Sequence, residues 1–579
     1  MSNRQQLISL NSFPHAIAYI QKASREIGTP TYVGSEIPDT LKKSPTVNII
    51  YLVDKNNGIF VHIHSEPRAS TGYRKYIVIE PPRPPQALFD LIELKLAEVI
   101  TEKDVATSSE ERKNILLDKV KKIVELTDDA VNYEQFILKN KIPKKIPVQK
   151  GLYSIFEYYL VRDKVGLGKL EPLIKDPYIE DISCSGIGCV HIVHKIFGSL
   201  ETNICFPSLE ELNRFIQELG ERTGKPVGTA RPIIDSTLPD GSRLNAVFGN
   251  DVSLKGSNFT IRKFTETPIS ITRLIGWNTL DGRVAAFLWM LLLEGMSGFI
   301  SGETASGKTT TLNASLVFIR PNAKIISIED TAEVMVPHQN WVRELTRDTG
   351  SPETSVTMFD LLKAALRQRP NYIIVGEIRG AEGNIAFQAM QTGHPVIATF
   401  HAASVERLIQ RIISPPINVP RTQLDNLNFI LIQSAVYREG IMVRRVLSLN
   451  EIIGYNPVDN NVMFVPAFTW DPVKDAFVFR GRGSSYLLEE KIGVTRGLSK
   501  RDMKMIYDEL DLRAEILRKL TESKVYDHFV VFRFLTKLYT EIDSKAKVSK
   551  KSDLQYVILE NLEKVLKDLS YNRLQDWLQ

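Results

Sequence analysis

The sequence predicts a multidomain α/β protein on three observations. The chain has 579 residues, which is more than one hydrophobic core normally organises. Its composition of 43% hydrophobic and 24% charged residues is that of a globular protein. Between residues 271 and 450, short apolar stretches alternate with amphipathic helical segments, which is the pattern of parallel strands joined by crossover helices.

Changes of pattern along the chain predict five segments. Residues 1–105 mix strand-like and helical stretches, and we expect an N-terminal α+β domain that binds a partner. Residues 106–150 are charged and helical and end in a basic linker. Residues 151–268 contain short strands with tight turns, and residues 269–490 contain the alternating strands and helices. Residues 491–579 return to amphipathic helix.

The charge of the chain is mild. A net charge of +5 over this length does not favour a nucleic-acid-binding protein. The linker contains the densest group of basic residues, namely Lys139, Lys141, Lys144, Lys145 and Lys150. This group predicts either a solvated linker or a contact with an anionic membrane surface or an acidic partner.

The cysteines and the apolar runs indicate the compartment. The three cysteines, Cys184, Cys189 and Cys205, form no CxxC pair, so a four-cysteine zinc module is excluded. Their small, odd number suits a reducing cytosol, and we expect Cys184 and Cys189 to be buried free thiols. The N-terminus lacks a signal-peptide pattern, and the longest apolar run, Val284–Leu293, is too short to span a bilayer. We therefore expect a cytoplasmic protein.

A phosphate-binding loop is the clearest motif in the sequence. Gly302–Thr309 (GETASGKT) match the pattern GxxxxGK(S/T) completely, between an apolar strand and a helix. Backbone N–H groups of such a loop wrap phosphates, and the helix N-terminus adds a favourable dipole. Lys308 is expected to reach the β- and γ-phosphates of ATP, and the Thr309 hydroxyl to bind Mg²⁺. The predicted nucleotide-binding residues are Gly302, Thr304, Ala305, Ser306, Gly307, Lys308, Thr309 and Thr310.

Acidic and histidine side chains follow other strands of the same region. Glu377 ends an apolar strand and is expected to bind Mg²⁺ or orient water, although Gly376 stands where an aspartate is usual. Glu333 belongs to an acidic group after residues 324–328, for which a solvated turn is the alternative. His401 lies at the C-terminal end of another strand, where ligand sites of α/β proteins gather, and a structural histidine is its alternative.

These blocks, in this order, resemble the secretion ATPase superfamily of type II and type IV secretion and pilus assembly. The matching blocks are Gly302–Thr309 (Walker A), Ile328–Glu333 (Asp box), Gly376–Arg379 (Walker B) and Thr392–His401 (His box). The similarity continues upstream through Arg231–Asp235, Leu238–Arg243 and Thr260–Lys263. The stretches GETASGKTTTLNA, IEDTAE and FTIRKF most resemble the archaeal branch, which serves archaella and archaeal type IV pili.

The resemblance implies a RecA-like P-loop NTPase domain after a PAS-like α+β domain, with a further N-terminal domain. It also implies a homo-hexamer that hydrolyses ATP and pushes on a polytopic membrane platform protein of a pilus, archaellum or secretion machine. Glu333 and Glu377 would divide water activation and Mg²⁺ binding between them, and His401, with His394, would sense the γ-phosphate. The arginines expected to reach the nucleotide from the preceding domain are Arg231, Arg243 and Arg262, with a structural ion pair as the alternative for each. Gly380 departs from the aspartate common at its position.

Two other functions stay open at the level of sequence. A RecA-like motor that moves DNA would need a basic, aromatic-lined channel, and the sequence from 400 to 450 shows no such interleaving. A nucleotide-dependent scaffold would bind ATP without useful turnover. The lysine, threonine, glutamates and histidine named above argue against the scaffold. A hydrolysis assay discriminates the scaffold from an ATPase.

Overall fold

The computed structural model describes residues 10–578 apart from 11, 39–40, 42–45, 66–73, 102–103, 107, 139–142, 265–266, 348–350, 352, 439–440, 547–553 and 571–572. The chain divides into two compact units, Met1–Phe264 and Thr265–Gln579. Lys139 and Lys141 of the basic linker lie outside the described residues.

A ten-stranded sheet organises the first unit. The strands of this unit are β1 Thr31–Tyr32, β2 Asn48–Asp54, β3 Ile59–Ser65, β4 Arg74–Ile79, β5 Val124–Thr127, β6 Ile146–Gln149, β7 Ile179–Cys184, β8 Gly188–His194, β9 Gly198–Phe206, β10 Ile233–Thr237, β11 Arg243–Val247 and β12 Asn258–Arg262. The order in the large sheet is β1-β2-β3-β4-β9-β8-β7-β12-β11-β10, and β5 pairs with β6 separately. The parallel pairing of β4 with β9 joins the N-terminal strands to those of the region after residue 150 in one sheet.

Seven helices of the first unit fall within the described residues. They are α1 Pro14–Glu26, α2 Gln86–Val99, α3 Ser109–Ile123, α4 Glu134–Leu138, α5 Lys150–Lys164, α6 Glu171–Lys175 and α7 Leu209–Arg222. Serine residues cap the N-termini of α3 and α7. The Ser108 side chain accepts a hydrogen bond from the Glu111 amide, and the Ser208 side chain accepts one from the Glu211 amide. The apolar faces of α2, α3, α5 and α7 contribute to one core with the sheet.

A buried carboxyl group joins the N-terminal strands to the following region. Asp176 is fully buried, and its Oδ2 accepts hydrogen bonds from the hydroxyls of Tyr51 on β2 and Tyr76 on β4 at 2.5 and 2.6 Å. Its Oδ1 accepts from the Tyr178 amide. Burial raises the pKa of Asp176, and burial also raises the pKa of both tyrosines.

The prediction of a free thiol at Cys189 is wrong. Strands β8 and β9 are antiparallel, and their register places Cys189 directly opposite Cys205. The two sulfurs form a disulfide, with 3.9 Å between the Cα atoms. Cys184 is buried and free, as expected. The register of β8 and β9 brings these two cysteines together. They lie 16 residues apart in the sequence, and that spacing alone does not predict the disulfide.

The second unit contains a nine-stranded sheet. Its strands are β13 Gly298–Gly302, β14 Ile325–Glu329, β15 Trp341–Leu345, β16 Tyr372–Ile378, β17 Val396–Phe400, β18 Phe429–Arg438, β19 Ile441–Asn456, β20 Asn461–Asp471 and β21 Ala476–Phe479. Their order is β15-β14-β16-β17-β13-β18-β19-β20-β21, parallel from β15 to β18 and antiparallel thereafter. This parallel sheet with crossover helices confirms the predicted α/β class.

The helices of the second unit cover the sheet and continue into the C-terminal region. They are α8 Ile271–Gly276, α9 Gly282–Leu293, α10 Lys308–Ser315, α11 Met358–Arg367, α12 Glu382–Gln391, α13 Val405–Ile413, α14 Lys504–Glu522, α15 His528–Ala546, α16 Leu554–Ser570 and α17 Leu574–Leu578. The apolar run Val284–Leu293 is the buried length of α9. Leu562 and Val565 of α16 are also buried in the core around α9. Within the described residues, no helix is both long enough and apolar enough to span a bilayer.

Removing the buried carboxyl group should destabilise the first unit. We expect Asp176→Ala to lower the free energy of unfolding by about 2–4 kcal/mol, because two buried tyrosine hydroxyls lose their acceptor. Urea denaturation followed by circular dichroism measures this loss. The control is Asp118→Ala, which changes an exposed carboxylate on α3. Equal stability of the two variants would contradict a structural role for Asp176.

Candidate functional site

The loop between β13 and α10 has the backbone geometry of a phosphate-binding loop. Ala305 and Gly307 both have positive φ values, 61° and 92°. At Gly302, a Cβ atom would lie 2.1 Å from the Gln433 carbonyl oxygen, so only glycine fits against β18. The loop leads into the N-terminus of α10, where backbone N–H groups and the helix dipole can hold an anion.

Side chains within the loop hold its turn. The Lys308 ammonium donates to the Glu303 carbonyl oxygen at 2.9 Å, and the Ser306 hydroxyl donates to the same oxygen at 2.8 Å. Thr309 and Thr310 lie in the first turn of α10 and are half-buried, whereas Thr304 is exposed. The ammonium therefore lies at the loop itself, where it can neutralise a bound phosphate.

Sheet order brings the predicted blocks to one edge. Parallel β13 lies between β17 and β18, with β16 and β14 beyond β17. Residues that follow these strands therefore share the C-terminal edge of the sheet. His401 directly follows β17, and its Nε2 lies 3.0 Å from the Thr304 hydroxyl of the loop. His394 precedes β17, at the opposite end of that strand, so the structure does not bring it to this edge.

An arginine connects the predicted acidic residues. Arg379 donates to Glu377 Oε2 at 2.5 Å. The pKa of Arg379 is raised, first by this hydrogen bond and by the charge of Glu377, and further by the charges of Asp330 and Glu333. Glu377 and Glu333 are therefore close enough to act on one cationic group. Both are half-buried and open to a ligand.

Glu329 supports the segment that carries Glu333. It ends β14 with its side chain 1% exposed, and Oε1 accepts hydrogen bonds from the amides of Glu333 and Val334 at 2.8 and 2.5 Å. Arg343 lies 3.4 Å from Oε2. Burial raises the pKa of Glu329 to about 7. The acidic group after residue 328 thus divides into one buried support and the more exposed Glu333.

The glycine that replaces the usual aspartate has a packing reason. A Cβ atom at Gly376 would lie 3.2 Å from Cγ of Glu329 on the neighbouring strand. The Gly376 carbonyl accepts from the Thr399 hydroxyl at 2.5 Å. Gly380 and Arg379 donate their amides to Glu382 Oε1, both at 2.6 Å. Glu382 therefore orders the turn after Glu377.

The three predicted arginines lie in the first unit. Arg243 and Arg262 are direct partners across the antiparallel pair β11 and β12. Arg243 forms an ion pair with Asp235 at 3.1 Å. Arg231 is exposed and forms an isolated bridge with Gly228. The fold thus brings Arg243 and Arg262 together on neighbouring strands.

Sequence reasoning missed three residues that contact the site. Gln433 donates to the Ser306 carbonyl at 2.9 Å, and Arg444 donates to the Ala305 carbonyl at 3.1 Å. Arg379, which the sequence indicates only as the last residue of the Gly376–Arg379 block, donates to Glu377. A polar residue inside the apolar stretch FILIQ was the available signal for Gln433, because buried amides need partners. Arg444 gives no comparable signal.

The donor set suits Mg²⁺ bound together with a nucleotide. Mg²⁺ prefers oxygen ligands and commonly takes one or two from protein and the rest from phosphates and water. Thr309 and Glu377 supply a hydroxyl and a carboxylate. Among the described residues, no group of three or more acidic, histidine or cysteine side chains forms a metal cage.

Comparisons with known proteins identify the family. Residues 163–438 match the family described as "Type II/IV secretion system protein". The uncharacterized protein MJ0900 of Methanocaldococcus jannaschii is 47% identical over 543 residues, 92% of this chain and 96% of that protein. The chain belongs to the type II/IV secretion ATPase superfamily. Within this superfamily, Protein VirB11 of Agrobacterium fabrum is 27% identical over 275 residues, 42% of this chain and 79% of that protein.

Solved structures of the superfamily superpose only distantly. The Legionella pneumophila ATPase DotB is 19% identical and covers 58% of this chain and 93% of its own, with a TM-score of 0.37.

The raised pKa of Glu329 predicts a pH-dependent stability. The folded chain holds this proton more tightly than the unfolded chain, whose carboxyl has an ordinary pKa of 4.5. The stabilisation is therefore complete below about pH 4.5 and is lost as the pH rises through about 7. Between about pH 5 and pH 8, wild type should lose about 2–3 kcal/mol of unfolding free energy relative to Glu329→Gln.

Thermal or urea unfolding of both proteins at the two pH values measures this difference. Glu490→Gln, which changes an exposed carboxylate, is the control. A difference between wild type and Glu329→Gln that is independent of pH would contradict the shifted pKa.

Proposed function

We propose that the chain is a motor ATPase that hydrolyses ATP with Mg²⁺. The observation that carries this proposal is the hydrogen bond between Thr304 and His401, which joins the phosphate-binding loop to the end of β17. A γ-phosphate held by the loop would lie beside this histidine. The imidazole is therefore suited to distinguish ATP from ADP at the point where the two differ.

The roles of the side chains follow from their positions. Lys308 and the N–H groups of the loop and α10 neutralise the phosphates, and Thr309 with Glu377 holds Mg²⁺. Glu333 is half-buried and its amide donates to Glu329, and in this proposal its carboxylate would orient the attacking water. Arg379 donates to Glu377 and also feels the charges of Asp330 and Glu333, so its guanidinium offsets the negative charge of this acidic group. The chemistry then depends on positioning and charge stabilisation.

Mechanical work would come from closure of the first unit on the nucleotide. Arg243 and Arg262 lie opposite each other on paired strands, so they would arrive together as one cationic group. Arg231, in the loop before β10, would join them. Loss of the γ-phosphate would remove the anion that holds such a closed state, and the units would reopen. In a homo-hexameric ring this cycle becomes a stroke.

The machine driven by this stroke is proposed from the family and its archaeal relatives. We assign the chain to the cytoplasmic face of the cell membrane, where it pushes on a polytopic platform protein. The motion would assemble a type IV pilus-like filament, such as an archaellum or adhesive pilus, or would drive type II-like secretion. The linker lysines Lys144, Lys145 and Lys150 supply positive charge for an anionic membrane surface, although Lys150 also pairs with Asp128.

The arginines near the C-terminal strands do not favour the DNA-translocase alternative. Arg445 and Arg438 both pair with Asp475. Arg411 donates to the His401 carbonyl, and Arg421 donates to the Asn460 carbonyl. Guanidinium groups engaged in this way do not form an open phosphate track.

The first test is ATP hydrolysis by the purified full chain. Lys308→Ala and Glu377→Gln should each lower kcat by at least about 100-fold, because the first removes a cation at the phosphates and the second removes the carboxylate proposed to hold Mg²⁺. Lys500→Ala and Glu490→Gln are exposed controls and should keep wild-type activity. Activity that survives either site change would contradict the assigned site.

Three conditions separate the alternatives in the same assay. A specific activity that rises with protein concentration supports an assembling ring. Stimulation by anionic phospholipid vesicles supports work at a membrane, and stimulation by single-stranded DNA supports a translocase. Binding of ATP without turnover under every condition supports the scaffold.

The proposed arginine group predicts a second kinetic result. Arg262→Ala and Arg243→Ala should lower kcat by about 100-fold or more and leave the Kd of ATP nearly unchanged, because these residues act when the cleft closes. Arg214→Ala, an exposed change on α7, serves as the control. An equal loss in ATP affinity and kcat would assign the two arginines to ground-state binding instead.

A further inference from the structure

Gln433 connects the phosphate-binding loop to the helix that follows it. The side chain is 1% exposed. Its Oε1 accepts from the Thr311 hydroxyl of α10 at 2.7 Å, and its Nε2 donates to the Ser306 carbonyl at 2.9 Å. Both ends of the amide are therefore used, one on the helix and one on the loop.

The strand next to Gln433 contains an extra residue, because Ile432 pairs with Ser448 and Gln433 pairs with Val446, which leaves Leu447 of β19 without a pairing position. The pairing of β18 with β19 shifts register between Ile432 and Gln433. Irregularities of this kind are frequent beside active sites. The Gln433 carbonyl also lies against Gly302, so the strand contacts both the beginning and the middle of the loop.

Arg444 reaches the same loop from the next strand. Its Nε donates to the Ala305 carbonyl at 3.1 Å, and its Cδ lies 3.1 Å from the position of a Cβ atom at Gly307. The side chain is exposed. The hairpin of β18 and β19 therefore holds two successive carbonyl groups, those of Ala305 and Ser306.

Holding these carbonyls determines where the following N–H groups point. In a trans peptide the C=O and the next N–H point in opposite directions. Fixing the Ala305 and Ser306 carbonyls on the hairpin thus directs the amides of Ser306 and Gly307 away from it, toward the side of the loop where the Ser306 amide donates to the Glu303 carbonyl at 3.4 Å. Successive amides next to residues of positive φ form a concave site for anions, and Ala305 and Gly307 have that conformation.

We propose that Gln433 and Arg444 are positioning residues that hold the loop backbone in its phosphate-binding conformation. The inference rests on the proposed function only in its first step, the binding of ATP. Without the two hydrogen bonds, ATP must order the loop as it binds, and affinity falls. The chemical step, which uses other side chains, is changed much less.

The test compares variants that keep the aliphatic stem and remove the hydrogen bond. Gln433→Met should raise the Kd and KM for ATP about tenfold, and Arg444→Met about threefold, the smaller effect reflecting exposure. Arg444→Lys should restore affinity to within about twofold of wild type, because an ammonium can donate to the same carbonyl. At saturating ATP, kcat should stay within about twofold of wild type.

The measurements use the full chain, a fluorescent ATP analogue with Mg²⁺, and steady-state hydrolysis. Gln388→Ala and Arg407→Ala change exposed residues of α12 and α13 and serve as controls. Arg444 is at the surface, so its variants still give a measurement of ATP affinity if Gln433→Met unfolds the protein. Unchanged affinity in Arg444→Met, or a loss of kcat with unchanged KM, would overturn the proposal.

The two proposals fail in different ways. Wild type that binds ATP and does not hydrolyse it contradicts the motor, whereas the ratio of Kd values between variants and wild type still tests the positioning role. Wild type that hydrolyses ATP with equal affinity in all variants contradicts the positioning role alone.

Discussion

The parallel pairing of β13 with β17 and β18 is the constraint on which the candidate site depends. Gly298–Gly302 is fully buried between these two strands, so the loop that follows leaves the sheet at its centre. The Ser301 hydroxyl donates to the Ala402 carbonyl at 2.7 Å and accepts from the Ala402 amide. This exchange ties the start of the loop to the turn that carries His401. A shift in either strand would separate the two.

Burial and charge divide the acidic residues into support and reactive groups. Glu329 is enclosed, with Oε1 accepting from two backbone amides and Oε2 facing Arg343, and a side chain at residue 376 would press on its Cγ at 3.2 Å. Glu333 and Glu377 remain open, with Arg379 between their charges. A carboxylate that orders the backbone costs desolvation, and the open pair keeps the solvent access that a metal ion or a water requires.

The first unit is organised by one large sheet and by a buried carboxyl group. One sheet runs from β1 to β10, and the buried hydrogen bonds of Asp176 with Tyr51 and Tyr76 link its N-terminal strands to the segment before β7. Arg243 and Arg262 are carried on paired strands of this sheet. The positions of both arginines are therefore fixed by the register of this sheet.

The sequence by itself determined the features that depend on local pattern. GETASGKT specifies the loop, since its glycines, lysine and threonine lie within eight consecutive residues, and the alternation of apolar strands with helices predicts the α/β class. The order of blocks identified the family. The partners of those blocks required the tertiary structure, because they depend on strand order and register. Three examples are the Cys189–Cys205 disulfide, the hydrogen bond from the Glu333 amide to Glu329, and the hydrogen bonds from Gln433 and Arg444 to carbonyl groups of the loop. Residues more than 100 positions apart, such as Ser306 and Gln433, meet only when the sheet forms, and no local pattern encodes that meeting.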